Sequence, residues 1–560
     1  MDSSLSSRQS IVTDASNLSV VAPQNISRQP KDNPMTSKAP DYFSHEEFQN
    51  RSRKLKEIKD LGVEPYPHKF TPSTTAAELI AHYSDKTIGH SEEASLGKTP
   101  SVTLAGRLVL FRAMGKNAFA HIQNGSGRIQ IMFNRDQTEV EGFKPSGQGE
   151  ESLNAMKFLE KKIDLGDILG IEGNLFHTNK GELTIFAKKV TLLCKTLLPL
   201  PDKHAGLTDK ELRYRKRWLD LICSPEVTST FLARSKIMSE IRKYFAEHHF
   251  MEVETPVLQG MYGGAEARPF TTKLNALDQE MFMRIALEIS LKKLIVGGLP
   301  RVFEIGKVFR NEGIDRNHNP EFTMIEAYAA YWDYNDMMRF VEKLYEHLAL
   351  QLHGSTKVPA RHPQTGEPVE IDMKTPWIRM SMKESIQKYG NLNVDELSEA
   401  QMRSMLEESG HADPQKIKAL SRGLLIAALF EVTVEPFLIQ PHHIIDHPIE
   451  TTPLCKPHRD PKLREEGLVE RFESFILTQE ICNAYSELND PVMQRQLLEQ
   501  QAARRDAGDE EASPLDEDFL EAVCQGMPPT SGVGIGVDRL VMLLTNSHSI
   551  RDVLYFPWMK

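Results

Sequence analysis

Between Val102 and about Leu193, apolar and polar residues alternate in short runs: VTLAGRLVLF, AFAHIQ, GRIQIMF, DILGIEGNLF and ELTIFAKKVTLL, separated by Gly, Asn and Ser. Alternation at period two turns one face of each run toward a core and the other toward solvent. It predicts about five strands of a small all-β unit, which suits an OB-type barrel. Upstream, Ser44 to Leu61 has a helical pattern that GVEPYP ends. Residues 1–44 are rich in Ser, Asn, Pro and Gln with little apolar periodicity; they bury too little to offset ordering entropy and are expected as a disordered tail. Residues 45–200 then form an N-terminal helix and barrel, and 201–225 a linker. From 226 to 560 the periods mix. Ile237, Ile241 and Phe245 recur at helical spacing, MEVETPVL is a strand broken by Pro256, and helices and strands follow in irregular order. That irregularity predicts an α+β domain on a largely antiparallel sheet with flanking helices. Within it, about 380–430 reads as a helical insertion beside the site. No internal repeat is found.

Two segments of the larger domain depart from ordinary patterning. In GVGIGVDRL, Gly532, Gly534 and Gly536 recur at period two, so their strand presents a face without side chains, against which a flat ligand can lie. Arg539 then opens an apolar, helix-like run. In FRNEGIDRNHNPEFTMIE a strand ends near Arg310 and Glu312, a polar loop follows, and a second strand puts Phe322, Met324, Glu326 and Tyr328 on one face. A cation for phosphate, an aromatic for a base and acids for an amine meet in these two stretches. EICNAYSELND repeats the theme with Asn483, Tyr485 and Glu487.

An acid among apolar neighbours costs several kcal/mol to bury unless a cation or hydrogen bonds compensate. Two strands that each offer an acid and a phenol describe a pocket for a ligand amine on an aliphatic stem. That reading requires Glu326 and Glu487 to point inward and not to be neutralised by an internal arginine. Glu473 and Glu480 flank FILTQ, and in a hairpin they would converge on a hard divalent ion; taken alone, they read as two exposed glutamates. Two nucleotide motifs fail. Gly97, Lys98 and Thr99 end like a P-loop but lack the earlier glycine and precede strands. GVGIGV has Val537 at the last glycine position and lies too near the C-terminus for a βαβ unit.

Size and charge narrow the picture. A chain of 560 residues implies two or three domains, and a net charge of −11 confines any nucleic-acid contact to local patches. Candidate patches are Arg51, Arg53, Lys54 and Lys56, and Arg213, Arg215, Lys216 and Arg217; solvated helix faces explain both equally well. Five widely spaced cysteines without a CxxC pair fit reduced thiols. His442, His443, His447, Cys455 and His458 match no structural zinc spacing. No apolar run spans a membrane and no signal-peptide core is present, so a cytoplasmic protein without membrane contact is expected.

The sequence resembles the class II lysyl-tRNA synthetases from about residue 45 to Lys560. The motifs are RYRKRWLDLI, FMEVETPVL, GGAEARPF, VFRNEGIDRNHNPEFTMIE, NAYSELNDP, GVGIGVDRL and SIRDVLYFP. The resemblance implies an OB-fold anticodon-binding domain, a class II catalytic domain, and lysine–tRNA ligase activity through an adenylate, with ATP, L-lysine and tRNA(Lys) as substrates. It assigns Arg310 and Arg539 to catalysis, and Glu312, His318, Phe322, Gly534 and Gly536 to ATP. Gly264 and Glu288 fall to the lysine α-amine, Asn483 to its carboxylate, and Glu326, Tyr328, Tyr485 and Glu487 to its side chain. Glu473 and Glu480 become ligands of Mg2+. Phe119, Arg128, Gln130 and Glu182 become anticodon readers, although Phe119 alone reads as core. A homodimer through the Pro256 segment is implied. Relatives commonly carry Gly-Gly where Leu477 and Thr478 stand here, and His249, Tyr262 and Leu287 also depart from frequent residues. Aspartyl- and asparaginyl-type synthetases share the framework, but their pockets should not present two carboxylates. A lysine ligase acting on a protein acceptor would lack the barrel.

Overall fold

The structure, a computed structural model, describes residues 41–145, 153–201, 207–410, 414–506, 508–509 and 511–559. Residues 1–40 of the expected tail lie outside it, and Asp41–Ser44 form a 3-10 turn. The chain divides into two compact units, Met1–Leu200 and Pro201–Lys560.

The first unit is the barrel. Its strands are β1 (Ser101–Met114), β2 (Asn117–Asn124), β3 (Gly127–Asn134), β4 (Glu139–Val140), β5 (Ile168–His177) and β6 (Leu183–Cys194). They run in the order β3-β2-β1-β5-β6-β4, and a parallel β3–β6 pairing closes the sheet on itself. Leu104, Ile122, Ile131, Ile171 and Ile185, one alternate set from each long strand, fill the interior. Helix Glu46–Asp60 belongs to the same unit. Its basic cluster is partly structural: buried Arg51 donates to the Leu165 and Leu198 carbonyls and to Thr196 Oγ1, and Lys54 pairs with Asp164 at 2.5 Å.

The second unit is built on an eight-stranded sheet. Its strands include β7 (Met251–Glu252), and next comes a small sheet of β8 (Leu258–Gln259), β9 (Thr271–Leu274) and β10 (Gln279–Met283). Then follow β11 (Arg301–Phe309), β12 (Glu321–Ala330), the hairpin β13 (Lys357–Arg361) and β14 (Pro368–Asp372), and β15 (Ile378–Ser381). The last four are β16 (His442–Pro448), β17 (Leu468–Ile476), β18 (Gln479–Ser486) and β19 (Thr530–Gly536). The large sheet runs β15-β16-β17-β18-β19-β12-β11-β7, antiparallel except at its two edge pairs. Helices Pro225–Glu247, Tyr334–His353 and Val537–Thr545 pack into the core with it through Ile241, Phe245, Val341, Leu344 and Leu540. The other face of the central strands is left for the site.

Residues 201–225, expected as a linker, fold from Lys210 into two short helices. Buried Arg217 pairs with Asp220 and donates to the carbonyls of Arg551, Leu554 and Tyr555, which pins the segment to the C-terminus. Arg213 and Arg215 pair with Asp220 and Glu211. The insertion comprises helices Glu399–Ser409, Pro414–Ala419 and Arg422–Thr433 around their own apolar cluster. Among the described residues, no helix is long and apolar enough to cross a membrane.

Candidate active site

Strand register builds the floor. β19 lies between β12 and β18, so Tyr328, Gly532 and Tyr485 form one row across the sheet, and Glu326, Gly534 and Asn483 the next. In the first row a Cβ on Gly532 would overlap both Glu487 Oε1 and the Tyr328 ring, so only glycine fits between the flanking groups. At Gly534 the neighbour is the movable end of Met324. At Gly536 an added Cβ would make ordinary contacts, so bulk does not explain the glycine there.

A cavity of about 440 Å3 opens above this floor. It is lined by Gly264, Glu288, Arg310, Glu312, His318, Phe322, Glu326, Tyr328, Glu473, Glu480, Asn483, Tyr485, Gly534, Gly536 and Arg539, so residues spread over nearly three hundred positions meet in one space. The backbone explains how several arrive. Gly264 has φ 84, and a Cβ there would stand 3.0 Å from Glu288 Cβ; the left-handed turn and the close approach both need glycine. Glu288 opens helix Glu288–Val296. Arg310 leaves the end of β11, donates to the Ile285 carbonyl, and holds its guanidinium 5.3 Å from the centre of the Phe322 ring. Arg539 lies in the first turn of helix Val537–Thr545. Its neighbour Asp538 is buried and accepts from Thr323 N–H and Arg234, which fixes that turn to β12.

At one end the cavity is acidic. Glu326 is buried; its Oε1 accepts from Leu287 N–H at 2.8 Å and its Oε2 from the Tyr328 hydroxyl at 3.1 Å, both neutral donors. Burial first, and the charge of Glu288 second, push its pKa up to about 7, while those two hydrogen bonds pull against the rise. Glu288 Oε1 accepts from the Tyr485 hydroxyl at 2.6 Å. Glu487 follows β18 and is buried, with Oε1 lacking any hydrogen-bond partner.

Glu487, which the resemblance assigns to the lysine side chain, is not among the residues lining the cavity, and it has an internal partner. Lys292, fully buried on the helix that Glu288 opens, pairs with Glu487 Oε2 and at 2.5 Å with Glu288 Oε1. Burial opposes its charge, but the two carboxylates outweigh burial and lift its pKa to about 12. The internal cation is thus a lysine held by Glu288 and Glu487, while Glu326 takes its hydrogen bonds from uncharged groups. Lys292 went unremarked because Glu288 and Lys292, four apart on a helix, look like a solvent-exposed pair.

At the other end, β17 and β18 bring Glu473 and Glu480 to the cavity wall. Glu480's pKa is raised, by burial and then by repulsion from Glu473. Among the described residues no group of three or more His, Cys, Asp or Glu is placed to hold a metal ion. Two hard carboxylates fit Mg2+ nonetheless, because that ion characteristically takes one or two carboxylates and completes its shell with phosphates and water. Arg471, also missed in the sequence, donates to Glu473 Oε1 at 2.5 Å and to Asn483 Oδ1 at 3.2 Å, tying the two regions together. Arg539 donates to the Glu480 carbonyl at 2.7 Å. Behind the hairpin Cys482 donates to Ser474, Ser474 bonds His443 Nδ1, and His443 Nε2 faces Glu342, a buried chain joining β16, β17, β18 and helix Tyr334–His353. His318, on the exposed loop before β12, bonds Asp315.

On the barrel, Phe119 lies on β2, Arg128 and Gln130 lie on β3, and Glu182 immediately precedes β6. Gln130 donates to Glu182 Oε2 at 2.7 Å and accepts from Thr184; His121, two residues from Phe119 and unremarked in the sequence, bonds Glu182 Oε1 at 3.1 Å. Phe119 is half-buried against Met132, Phe176 and Phe186, so it is neither fully core nor free.

Comparison with known proteins places both units. Residues 209–560 match the family described as tRNA synthetases class II (D, K and N), and residues 102–193 match the OB-fold nucleic acid binding domain. The chain is 57% identical over 522 residues to the lysine--tRNA ligase of Chlamydia caviae, an alignment covering 93% of this chain and 98% of that one. Over 528 residues it is 56% identical to the Chlamydia pneumoniae ligase, covering 94% and 98%. Identity to the Staphylococcus epidermidis ligase is 44% over 524 residues, covering 92% and 99%.

Proposed function

We propose a working scheme for this site from one premise: the chain belongs to the lysine--tRNA ligases, a family of class II tRNA synthetases with an OB-fold nucleic-acid-binding domain. It activates L-lysine with ATP and transfers the lysyl group to the 3′ end of tRNA(Lys). The observation that carries the choice of amino acid is the acidic end of the cavity, where Glu288 and Glu326 line the wall with two phenols over a floor of glycine backbone, and buried Glu487 lies beside Gly532 of that floor. The acids outnumber the one ammonium of Lys292, so this end of the site favours a cationic ligand. An acidic or amide side chain would meet uncompensated repulsion or unmet hydrogen bonds there.

In this scheme Gly264 and Glu288 take the α-amine, Asn483 and Arg310 the carboxylate, and Glu326, Tyr328, Tyr485 and Glu487 the side chain. ATP lies with its adenine between Phe322 and Arg539, its amine at Glu312 and its phosphates toward His318, Arg310 and Arg539, along Gly534 and Gly536. The lysine carboxylate oxygen forms a bond to the α-phosphorus as the bond to the pyrophosphate oxygen breaks. The terminal ribose hydroxyl of tRNA then attacks the lysyl carbonyl, and AMP leaves. No side chain is placed as an evident base, so the rate enhancement comes from holding the reactants in line and from Arg310 and Arg539 meeting the growing phosphate charge. Glu473 and Glu480 would hold Mg2+, which screens phosphate charge when bound. Phe119, Arg128, Gln130 and Glu182 form a surface suited to anticodon bases, with Phe119's exposed side as a stacking platform. Exposed Met251 and Leu258 flank Pro256, which supports a homodimer through that segment, and the absence of a spanning helix among the described residues suits a cytoplasmic enzyme.

The test is amino-acid-dependent exchange of labelled pyrophosphate into ATP across all twenty amino acids. Lysine should give the dominant signal. A dominant signal with aspartate or asparagine would overturn the assignment of the pocket.

A further inference from the structure

Lys292 touches no substrate in the scheme above, yet it is a fully enclosed charge joined to an acid of the pocket wall. Its side chain is 0% exposed, and its ammonium sits between Glu288 Oε1 and Glu487 Oε2 with the rings of Tyr485 and Phe519 5.5 and 5.8 Å away. The Tyr485 hydroxyl closes the arrangement by donating to the same Glu288 oxygen. An ammonium with two carboxylate partners and two ring faces has no freedom to swing. The two acids, one opening a helix and the other just past a strand, are therefore held at a separation of two hydrogen bonds from one nitrogen.

We propose that Lys292 is a positioning residue: by tying Glu288 to Glu487 it fixes the distance between the subsite for the α-amine and the subsite for the side-chain amine, and so sets the length of diamine the pocket accepts. This rests on the assignment of those two acids to the two ammonium groups of lysine. The chemistry follows from what happens without the tie. Two buried carboxylates facing each other repel; they move apart or one takes up a proton, and in either case the span between the anchors ceases to be defined. A substrate shorter by one methylene loses one anchor when the span is rigid, and recovers it when the span is loose. The Glu487 oxygen that remains unpartnered faces the space left by the absent Gly532 side chain, so the tie uses one oxygen and leaves the other for the ligand.

The experiment compares lysine with ornithine, one methylene shorter, in pyrophosphate exchange by the full chain and by Lys292→Met, which keeps the length of the side chain and removes the charge. The ratio of kcat/KM for lysine to that for ornithine should fall by about tenfold or more, the range one methylene commands in a fitted pocket. The KM for ATP, a readout that general damage would move, should stay within about twofold. An unchanged ratio in a variant that keeps its ATP KM overturns the proposal. Should Lys292→Met not fold, a crystal structure of the unaltered chain with lysine decides. Lys292 must keep both carboxylates when the substrate is present, and release of either one overturns the tie. Glu288→Gln and Glu487→Gln separate the two levels. If neither raises the KM for lysine, the assignment of the acids fails and the tie with it. If both do while Lys292→Met leaves the ratio intact, only the tie fails.

Discussion

Glu326 shows how a single residue sets a pH dependence. Its pKa is lifted to about 7 by burial and by Glu288, so around neutrality the empty site holds a mixture of carboxyl and carboxylate. A lysine ammonium binds the charged form. The sign is therefore fixed: kcat/KM for lysine should rise with pH through about 7, losing up to about tenfold for each unit below, and burial that pushes Glu487 up to about 8 extends the rise in the same direction. The same raised value means the fold keeps the proton more tightly than the unfolded chain does. This group's contribution to stability is present at low pH and lost as pH rises through about 7. Rate measurements from pH 6 to 8.5 check the first statement, with Glu326→Gln as control, in which the limb at about 7 should vanish. A wild-type profile flat across this range would contradict the placement of Glu326 beside the ammonium.

At the scale of elements, the β17–β18 hairpin carries the two proposed metal carboxylates on a turn that its own sequence disfavours. Leu477 and Thr478 take φ values of 52 and 62, in the left-handed region that favours glycine. The turn is held because the insertion reaches it: Leu477 N–H donates to the Ile439 carbonyl and Thr478 N–H to that of Leu438, just past helix Arg422–Thr433. A left-handed residue costs roughly 1–2 kcal/mol, and glycine returns roughly 0.5–1 kcal/mol of that through its freer unfolded chain. Thr478→Gly should therefore stabilise the protein by about 0.5–1 kcal/mol, seen as a higher melting temperature with unchanged exchange activity; a lower one would show that the threonine makes contacts worth more than its strain. The same hairpin marks the limit of what sequence reveals. The long barrel strands were legible because alternation is a local signal, and FILTQ was readable as a turn only by analogy because neither central residue favours one. β4 was missed because two residues carry no period. The pairing of Glu473 with Arg471, and of Glu487 with Lys292, depends on which strands become neighbours, and no local pattern encodes that. The site residues on β12, β18 and β19 were legible for the opposite reason: acids, phenols and glycines at period two make a strand that an ordinary core does not explain.

For the whole molecule, charge and exposed surface bear on partners. A net charge of −11 means that tRNA must be met by limited surfaces rather than a general field. Several of the basic residues singled out in the sequence are spent on internal pairs, which leaves the barrel face around Phe119 and Arg128 as the better candidate. Large apolar residues also stand exposed on the second unit: Leu232 at 62%, Met251 at 53%, Leu258 at 47% and Leu277 at 67%. Met251 and Leu258 flank the Pro256 segment, where the proposed homodimer would cover them. Sedimentation should give twice the chain mass, and Leu258→Asp combined with Leu277→Asp should shift it toward the single chain and lower exchange activity. A single-chain mass for the unaltered protein would remove the case for a homodimer.

The peptide floor at Gly532 carries one further implication. A wall made of side chains can adapt when one of them rotates, but a wall made of main chain has no rotamers to spend. Resizing it would require moving a strand hydrogen-bonded on both sides. Changes in which amino acid is accepted must therefore arise at the walls beside this floor, and any side chain added at residue 532 should act as a plug that leaves the nucleotide end of the cavity open.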